Sequence, residues 1–281
     1  MTSITELNRI AAQVRRDIIR MVAGAASGHP GGSLGSADFL VALYFAVMKP
    51  DPEKFTIDGT GEDLFFLSNG HISPAWYSVL ARYGYFQVAE LGTFRKLGTR
   101  LQGHPSVQER TPGVRMASGL LGQGLSVALG AAITKKLNRD PKIVYCLLGD
   151  GELQEGQNWE AFLFGAARGI DNLIAVVDYN RKQIDGPVDD VMSLGDLRAK
   201  LRAFGWAALE MNGNDMHAIL NGLRRAKRLL HHGKPVIILM HTLMGFGVDF
   251  MLDNHYWHGN PPSAEQAGKA LAQLEETLGD Y

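Results

Sequence analysis

Two oxygen-bearing side chains follow consecutive apolar segments of the sequence and could bind one divalent cation. Asp150 lies in the Gly-Asp-Gly turn 149–151 after the apolar run 143–148, and Asn180 follows the next apolar run, 173–178. An aspartate, an asparagine and a backbone carbonyl, completed by phosphate oxygens, suit a hard cation such as Mg²⁺ or Ca²⁺. The turn alone is a common one, and Asn180 could simply cap a strand. Their occurrence on consecutive segments favours a metal site.

Four of the nine histidines lie next to glycine in segments without helical or strand periodicity: His29, His71, His104 and His258. A single histidine is more often structural. Four in the same glycine context favour donors that converge on anionic or carbonyl oxygens, or acid–base groups that titrate near neutral pH. Their spacing does not match the H-E-x-x-H pattern of a zinc-binding helix.

Other residues near the Gly-Asp-Gly turn have simpler interpretations. Glu152, Glu155 and Glu160 follow the turn, where acidic side chains usually just favour the positive end of the helix dipole. Neither a P-loop nor a G-x-G-x-x-G motif after a strand is present, which disfavours the nucleotide-binding sites that use them. The single cysteine, Cys146, excludes a disulfide framework and a cysteine metal site, and it is predicted to be inert packing inside a strand.

The elements that must position these residues form an α/β pattern. Apolar runs predict five strands, which alternate with helices: 63–68, 143–148, 173–178, 206–211 and 235–240. Strands that are apolar throughout predict a parallel β-sheet with helices on both faces. Ligands bind such sheets at the carboxyl ends of the strands, so His71, Asp150 and Asn180 are expected at one edge. One domain over residues 1–281 is the simplest organisation.

The helix pattern is less regular because 33 glycines interrupt it. Ser3 and Glu6 predict a capping box for a first helix that extends to about residue 23. The glycine-rich stretch 27–36 is expected to be a loop that precedes a helix over about 37–48. Further helices are expected to begin within 119–130, to cover 157–168 and 215–231, and to follow a cap formed by Ser263 and Gln266.

Composition limits the classes of partner. The chain has 281 residues, 28 Lys and Arg, and 29 Asp and Glu, so its net charge of -1 offers no basic excess for nucleic acid or an anionic membrane. The longest apolar run, Phe39–Met48, is far shorter than a bilayer span. Arginines interrupt the apolar positions of the N-terminal segment, which is unlike a secretory signal. A cytoplasmic location is therefore expected.

Taken in order, the motifs resemble the thiamine-diphosphate-binding half of transketolase. The stretches that carry the resemblance are GHPGGSLG (28–35), LSNGH (67–71), FRKLGTRLQGHP (94–105), GLLGQGLS (119–126), GDGELQEGQNWEA (149–161), VDYNRKQIDG (177–186) and WHG (257–259). A complete transketolase is similar to this chain followed by two further domains. The resemblance implies the N-terminal subunit of a split transketolase, with the pyrimidine-binding and C-terminal domains on a separate chain.

The resemblance also implies residue roles, with thiamine diphosphate and Mg²⁺, or Ca²⁺ or Mn²⁺, as cofactors. Asp150, Asn180 and the backbone carbonyl of Lys182 match the metal ligands. Further residues match positions that contact the diphosphate, the aminopyrimidine or the thiazolium of the cofactor. Together with Asp150 and Asn180 they are His71, Gly119, Leu121, Gly149, Gly151, Ile184 and His258. His29, His71, His104 and His258 match catalytic histidines near the sugar, and Glu155 and Glu160 match acidic positions near a subunit interface.

The implied activity is transfer of a two-carbon ketol unit from a ketose or its phosphate to an aldose or its phosphate. In this family the carboxylate against the aminopyrimidine comes from the second domain across a subunit interface, and no carboxylate of this chain matches it. An α2β2 assembly is therefore expected, together with self-association of the diphosphate-binding domain. The departures at Ser106, Leu120, Tyr179 and Arg181 leave the acceptor sugar open, whereas the departure at Lys182 concerns the metal site, and only through its backbone.

Two alternatives remain open at this point. One is a different thiamine-diphosphate enzyme, such as a deoxyxylulose-phosphate-synthase-like fragment or a sugar transketolase of a specialised pathway. The other is a non-catalytic cofactor-binding partner, which the intact Asp150, Asn180 and loop histidines disfavour.

Overall fold

A computed structural model describes residues 2–281 and contains a five-stranded sheet. Its strands are β1 Leu64–Leu67, β2 Val144–Gly149, β3 Leu173–Asp178, β6 Ala207–Asn212 and β7 Val236–His241. They lie in the order β1-β2-β3-β7-β6, and all neighbouring strands are parallel, as the apolar runs predict. The short strands β4 Lys182–Gln183 and β5 Gly186–Pro187 form a separate antiparallel hairpin.

Helices cover both faces of the sheet, which confirms the predicted α/β class. The helices are α1 Ile4–Ala25, α2 Pro30–Ala42, α3 Ser73–Tyr83, α4 Gly124–Leu137, α5 Gly156–Ala167, α6 Val188–Met192, α7 Leu197–Ala203, α8 Met216–Lys227 and α9 Ala264–Gln273. Helices α1, α2, α3, α8 and α9 share one core with alternate strand residues such as Tyr145, and α4, α5 and α7 share the other core with residues such as Cys146. Because both faces are covered, the central strands β2 and β3 are apolar up to their carboxyl ends, whereas the edge strand β6 exposes Glu210 and Asn212.

Helix α2 begins seven residues before the predicted start, so the expectation of a loop over residues 27–36 is wrong beyond His29. All residues of α2 are buried, and its glycines lie against the segment that follows β7. A β-carbon on Gly31 would stand 2.5 Å from a side-chain carbon of Met244, and one on Gly35 would stand 2.9 Å from the Leu243 carbonyl oxygen. The glycines therefore allow close helix packing here rather than chain reversal.

Other boundaries differ by smaller amounts. Helix α4 begins only at Gly124, because the preceding turn contains Gly119 and Gly122 at φ values of 131° and 86°, which oppose helix formation. At the N-terminus, Ser3 caps α1 as predicted, but the Glu6 carboxylate pairs with an arginine and does not complete the capping box. The capping box of Ser263 and Gln266 at α9 is complete, which confirms that prediction.

The helical stretch Pro30–Met48 combines α2 with a π-helical segment, Leu43–Met48. By length and composition alone it could cross a membrane, and it is the one helix within residues 2–281 that meets that criterion. Within this fold 78% of the stretch is buried. Its apolar character is therefore accounted for by its place in the core beneath the sheet.

We expect Gly35→Ala to lower the thermal midpoint of unfolding. The added methyl group meets the Leu243 carbonyl oxygen at 2.9 Å, so α2 or the following loop must shift. Overpacking of this kind costs about 1–3 kcal/mol. Gly268→Ala is the matched control, because nothing lies within 4 Å of its β-carbon position in α9, and it is expected to stabilise the chain by about 0.5–1 kcal/mol. Equal midpoints for the two variants in calorimetry would contradict the proposed close contact.

Candidate cofactor and metal site

A cavity of about 340 Å³ opens at the carboxyl ends of β1, β2 and β3. It is lined by every residue that the sequence pattern indicates for catalysis, cofactor binding or metal binding: His29, His71, His104, Gly119, Leu121, Gly149, Asp150, Gly151, Asn180, Lys182, Ile184 and His258. Its volume lies in the range of small-molecule sites. The structure thus brings the predicted set together, while the role of each residue stays a prediction.

The ends of regular elements place these side chains. Asp150 follows the last residue of β2, and Asn180 stands two residues beyond the end of β3. His29 immediately precedes α2, where Pro30 at the first position starts the helix. His258 is the last residue of the short 3₁₀ helix His255–His258. The ends of strands and the starts of helices therefore fix the positions of the site residues.

The candidate metal site contains Asp150, which is almost fully buried. Its Oδ1 accepts a hydrogen bond from the Gly151 amide at 2.8 Å, and its Oδ2 accepts one from the Arg181 amide. Asn180 Oδ1 accepts from the Lys182 amide at 2.8 Å. These bonds fix the two oxygen-bearing side chains at the site, where each oxygen keeps a second lone pair for a cation.

A second carboxylate, Asp178, lies beside the candidate metal site. It accepts a hydrogen bond from Asn180 Nδ2 at 3.1 Å and one from the Thr242 hydroxyl. Burial raises the pKa of Asp150, and the nearby Asp178 raises it further. Burial also raises the pKa of Asp178, against the opposing effect of the Thr242 hydroxyl. Two buried carboxylates in this arrangement are stabilised in their ionised form when a cation binds between protein and ligand oxygens.

The donor set suits a cation that binds through few protein side chains. Within residues 2–281, no group of three or more His, Cys, Asp or Glu side chains is arranged to hold a metal. One carboxylate, one amide oxygen and one carbonyl leave room for phosphate oxygens or water, which is the pattern that Mg²⁺ uses in phosphate sites. The residues present therefore fit a divalent cation bound together with a diphosphate.

The four histidines form a cluster at the wall of the cavity. The ring of His29 lies 5.1 Å from that of His71, 6.3 Å from that of His104 and 5.7 Å from that of His258, measured between centroids. His71 and His258 are 5.0 Å apart. The glycine-flanked loops therefore converge as the sequence predicts, and each imidazole has other imidazoles as neighbours.

This cluster favours neutral imidazoles. Burial lowers the pKa of His29 to about 4, and the neighbouring His258, Arg95 and His104 contribute to the shift. Burial likewise lowers the pKa of His258 to about 4, although Asp185 opposes the effect. Burial also lowers the pKa values of His71 and His104. Near pH 7 these side chains are neutral, and each ring then offers one donor and one acceptor.

Four residues of the cavity lining have a buried polar atom without a protein partner. The atoms are Nδ1 of His29 and of His258, Oδ1 of Asn69 and Oε1 of Gln183. Such atoms are rare in folded proteins and normally indicate water, an ion or a ligand. The sequence pattern alone does not indicate Asn69 or Gln183 as site residues, although both stand within the motifs that carry the family resemblance. Their unpaired oxygens indicate that the cavity accommodates a polar ligand.

Glu152 does not have the role at a helix dipole that its sequence position predicts. Its side chain does not act on a helix dipole at the surface, because the residue is only 2% exposed and its carboxylate accepts hydrogen bonds from Ser68, Gly122 and Gly149. Burial raises the pKa of Glu152, and these donors oppose the rise. By contrast, Glu155 and Glu160 are exposed, and Glu155 lies at the cavity.

A match to a family model identifies the protein family to which this chain belongs. The family model described as the thiamine diphosphate binding domain of transketolase matches residues 7–279. The chain therefore belongs to the transketolase family, of which it is the N-terminal, thiamine-diphosphate-binding part. The expectations of fold and family that the motifs raised are confirmed.

Relatives of similar length support the same assignment. The chain is 39% identical over 272 residues to the 6-deoxy-6-sulfo-D-fructose transketolase subunit SqwG of Clostridium sp. (strain MSTE9), with 96% of this chain and 97% of the relative covered. It is 37% identical over 264 residues to an apulose-4-phosphate transketolase subunit of Phocaeicola vulgatus, with 94% of this chain and 92% of the relative covered.

Longer transketolases match along part of their length. The chain is 34% identical over 272 residues to human transketolase, and the match covers 95% of this chain and 42% of that protein. The crystal structure of Campylobacter jejuni transketolase superposes with a TM-score of 0.88 at 32% identity and covers 97% of this chain and 43% of that one. This chain therefore corresponds to somewhat less than half of those proteins.

The histidine cluster predicts how stability depends on pH. An unfolded histidine has a pKa of about 6.5, whereas that of His29 is about 4 in the fold. Between these values the unfolded chain binds more protons, so the free energy of unfolding falls as the pH is lowered. His29→Asn removes this contribution, and we expect it to lose less stability than the wild type between about pH 6.5 and 4.5.

Urea unfolding of the cofactor-free chain at several pH values measures this effect. His232→Asn, at an exposed position after α8, controls for loss of an imidazole elsewhere and is expected to follow the wild type. Parallel pH profiles for His29→Asn and the wild type would show that burial does not shift the titration of His29.

Proposed function

We propose that this chain is the cofactor-binding subunit of an enzyme that moves a two-carbon ketol unit from a ketose phosphate to an aldose phosphate. The observation that carries the proposal is the single cavity lined by all the predicted site residues, in a chain of the transketolase family. Relatives named for 6-deoxy-6-sulfo-D-fructose and apulose-4-phosphate support a transketolase of a specialised sugar pathway as a variant of the same proposal.

The chain's own residues would bind and orient the reactants. When bound, thiamine diphosphate would supply a nucleophilic carbon for the transfer of the two-carbon unit. The neutral imidazoles of His29 and His258, each with an unpaired buried Nδ1, can hydrogen-bond sugar hydroxyls or accept a hydroxyl proton as the donor's C2–C3 bond breaks. The buried residues beside them would shield the reactants from water once a second chain covers the open side of the cavity.

The proposal includes a divalent cation, with Mg²⁺ as the first choice and Ca²⁺ or Mn²⁺ as alternatives. Asp150, Asn180 and the Lys182 carbonyl would bind it, and the backbone at Gly151 would contact the diphosphate. The glycine turn supports this arrangement, because it lets the backbone approach phosphate oxygens closely.

The proposal also includes a second chain that covers the cavity. Exposed apolar side chains lie in or next to its lining, Leu120 at 80% and Ile184 at 62%. Helix α5, which follows the cavity residue Glu155, also exposes Leu163 at 62%. An exposed apolar surface of this kind is typical of an interface. We propose that a C-terminal transketolase subunit binds there in an α2β2 assembly, supplies the carboxylate against the aminopyrimidine, and leaves the diphosphate-binding domains paired. The cytoplasm is the compartment we propose, in keeping with the single buried cysteine.

Asp150→Asn tests the metal site. The amide replaces a charged ligand, so we expect Mg²⁺-dependent affinity for thiamine diphosphate to fall by at least about 100-fold, since even outer-shell changes at metal sites cost about 10–100-fold. Asp190→Asn, at an exposed position, is the charge-matched control and should bind like the wild type. Calorimetric titration of the assembled enzyme makes the comparison, and undiminished binding by Asp150→Asn would refute the assignment.

The need for a second chain is tested by activity and by an interface variant. We expect the pure 281-residue chain to lack ketol transfer and to gain it with the second subunit. Leu163→Asp should weaken that assembly at least about tenfold, because it adds a charge to a surface that becomes buried. Leu278→Asp, also at an exposed leucine but on the opposite side of the sheet, is the control. Ketol transfer by the chain alone, with no second protein detected by mass spectrometry, would contradict the proposal.

A further inference from the structure

We propose that Glu152 is a positioning residue that sets the distance between the aminopyrimidine and diphosphate parts of the cofactor site. This inference rests on the proposed function, because it concerns the same cavity. Glu152 lines that cavity but is not among the residues expected to contact metal or diphosphate. The geometry of its two carboxylate oxygens carries the inference.

The carboxylate joins two backbone segments that carry different parts of the site. Oε1 accepts a hydrogen bond from the Gly122 amide at 2.8 Å, and Oε2 accepts one from the Gly149 amide at 2.9 Å. Gly122 belongs to the turn 119–123 that contains Gly119 and Leu121, and Gly149 directly precedes Asp150. These two segments are therefore held at a spacing fixed by the width of one rigid, planar group.

Ser68 adds a third connection, from the end of β1. Its hydroxyl donates to Glu152 Oε1 and accepts from the Gly124 amide at 3.1 Å. Because the hydroxyl proton points to Glu152, the serine oxygen is free to cap the first turn of α4. Ser68 thus stabilises the start of the helix, and its own amide donates to Leu147 of β2, whereas Glu152 is the group that joins the Gly122 and Gly149 amides directly.

The bonding pattern requires an anionic acceptor. All three groups that contact the Glu152 side chain are donors, and no ion pair within residues 2–281 includes Glu152. A buried carboxylate held by backbone amides makes charge-assisted hydrogen bonds, which are stronger than neutral ones. A glutamine can satisfy only one side, because its amide nitrogen would face either Gly149 or Gly122 donor to donor.

The expected consequence is a selective loss of cofactor affinity. If the two segments separate, Gly119 and Leu121 no longer stand at the right distance from Asp150 and Gly151 for one molecule to contact both. Saturating cofactor would restore the contacts by mass action. His29, which precedes α2, and His258, which ends a 3₁₀ helix, lie outside the two bridged segments. A role in folding alone would instead lower the fraction of active enzyme and leave cofactor affinity unchanged.

The test uses the assembled enzyme with thiamine diphosphate, Mg²⁺, and the variants Glu152→Gln, Ser68→Ala and Glu265→Gln. We expect Glu152→Gln to raise the apparent KM for thiamine diphosphate at least tenfold while kcat at saturating cofactor changes less than twofold. Calorimetric Kd values should change in parallel. Ser68→Ala should lower the thermal midpoint but change the Kd less than threefold, and Glu265→Gln, at an exposed position in α9, should match the wild type.

Several outcomes would overturn the inference. An unchanged Kd for Glu152→Gln with a lowered midpoint would show a purely structural role, and equal Kd changes for Ser68→Ala and Glu152→Gln would show that the bridge is not specific. If Glu152→Gln does not fold, as judged by circular dichroism, Glu152→Asp takes its place, because its shorter side chain reaches only one of the two amides. A wild-type assembly that does not bind thiamine diphosphate would instead refute the proposed function, and this inference with it.

Discussion

Parallel pairing of the central strands is the constraint on which the site depends. In the register of β2 and β3, Gly149 stands opposite Asp178, and Asp178 stands opposite Met240 of β7. Because parallel strands end at the same edge, this register places the turn after β2 beside the loop after β3. A shift of one residue would turn each side chain to the other face of the sheet. This register therefore sets the positions of the candidate metal site, of the buried carboxylates and of the histidines beside them.

A second constraint is the close approach of backbone to backbone around the cavity. The glycines of α2 let that helix lie against the segment after β7, which leads to the 3₁₀ helix that ends in His258. The glycines of the turn 119–123 allow positive φ values and bring its amides within reach of Glu152. In both places the absence of a side chain is what allows a polar group to reach its partner.

Much of the fold follows from local pattern, because a strand buried on both faces must be apolar along its length. The five predicted strands and the positions of Asp150, Asn180 and His71 at their ends follow from that rule. The prediction of a loop was wrong where a glycine-rich segment is compatible with either a loop or a closely packed helix. In residues 27–36 the same glycines that often form a loop instead allow tight packing of a helix, and the contact that decides between them lies far along the chain, at Leu243. The role of Glu152 is hidden from local pattern for a similar reason, since its partners Ser68 and Gly122 are distant in sequence.

The exposed leucines of the proposed interface have a consequence for the cell as well as for catalysis. In an assembly of the kind proposed, any excess of this chain over its partner leaves Leu120 and Leu163 in contact with water. Such surface promotes aggregation and recruits chaperones or proteases. Synthesis of the two chains must then be balanced, and coupled expression from neighbouring genes would serve that purpose. In the proposed assembly, the packing of the enzyme's domains therefore depends on the relative amounts of the two chains.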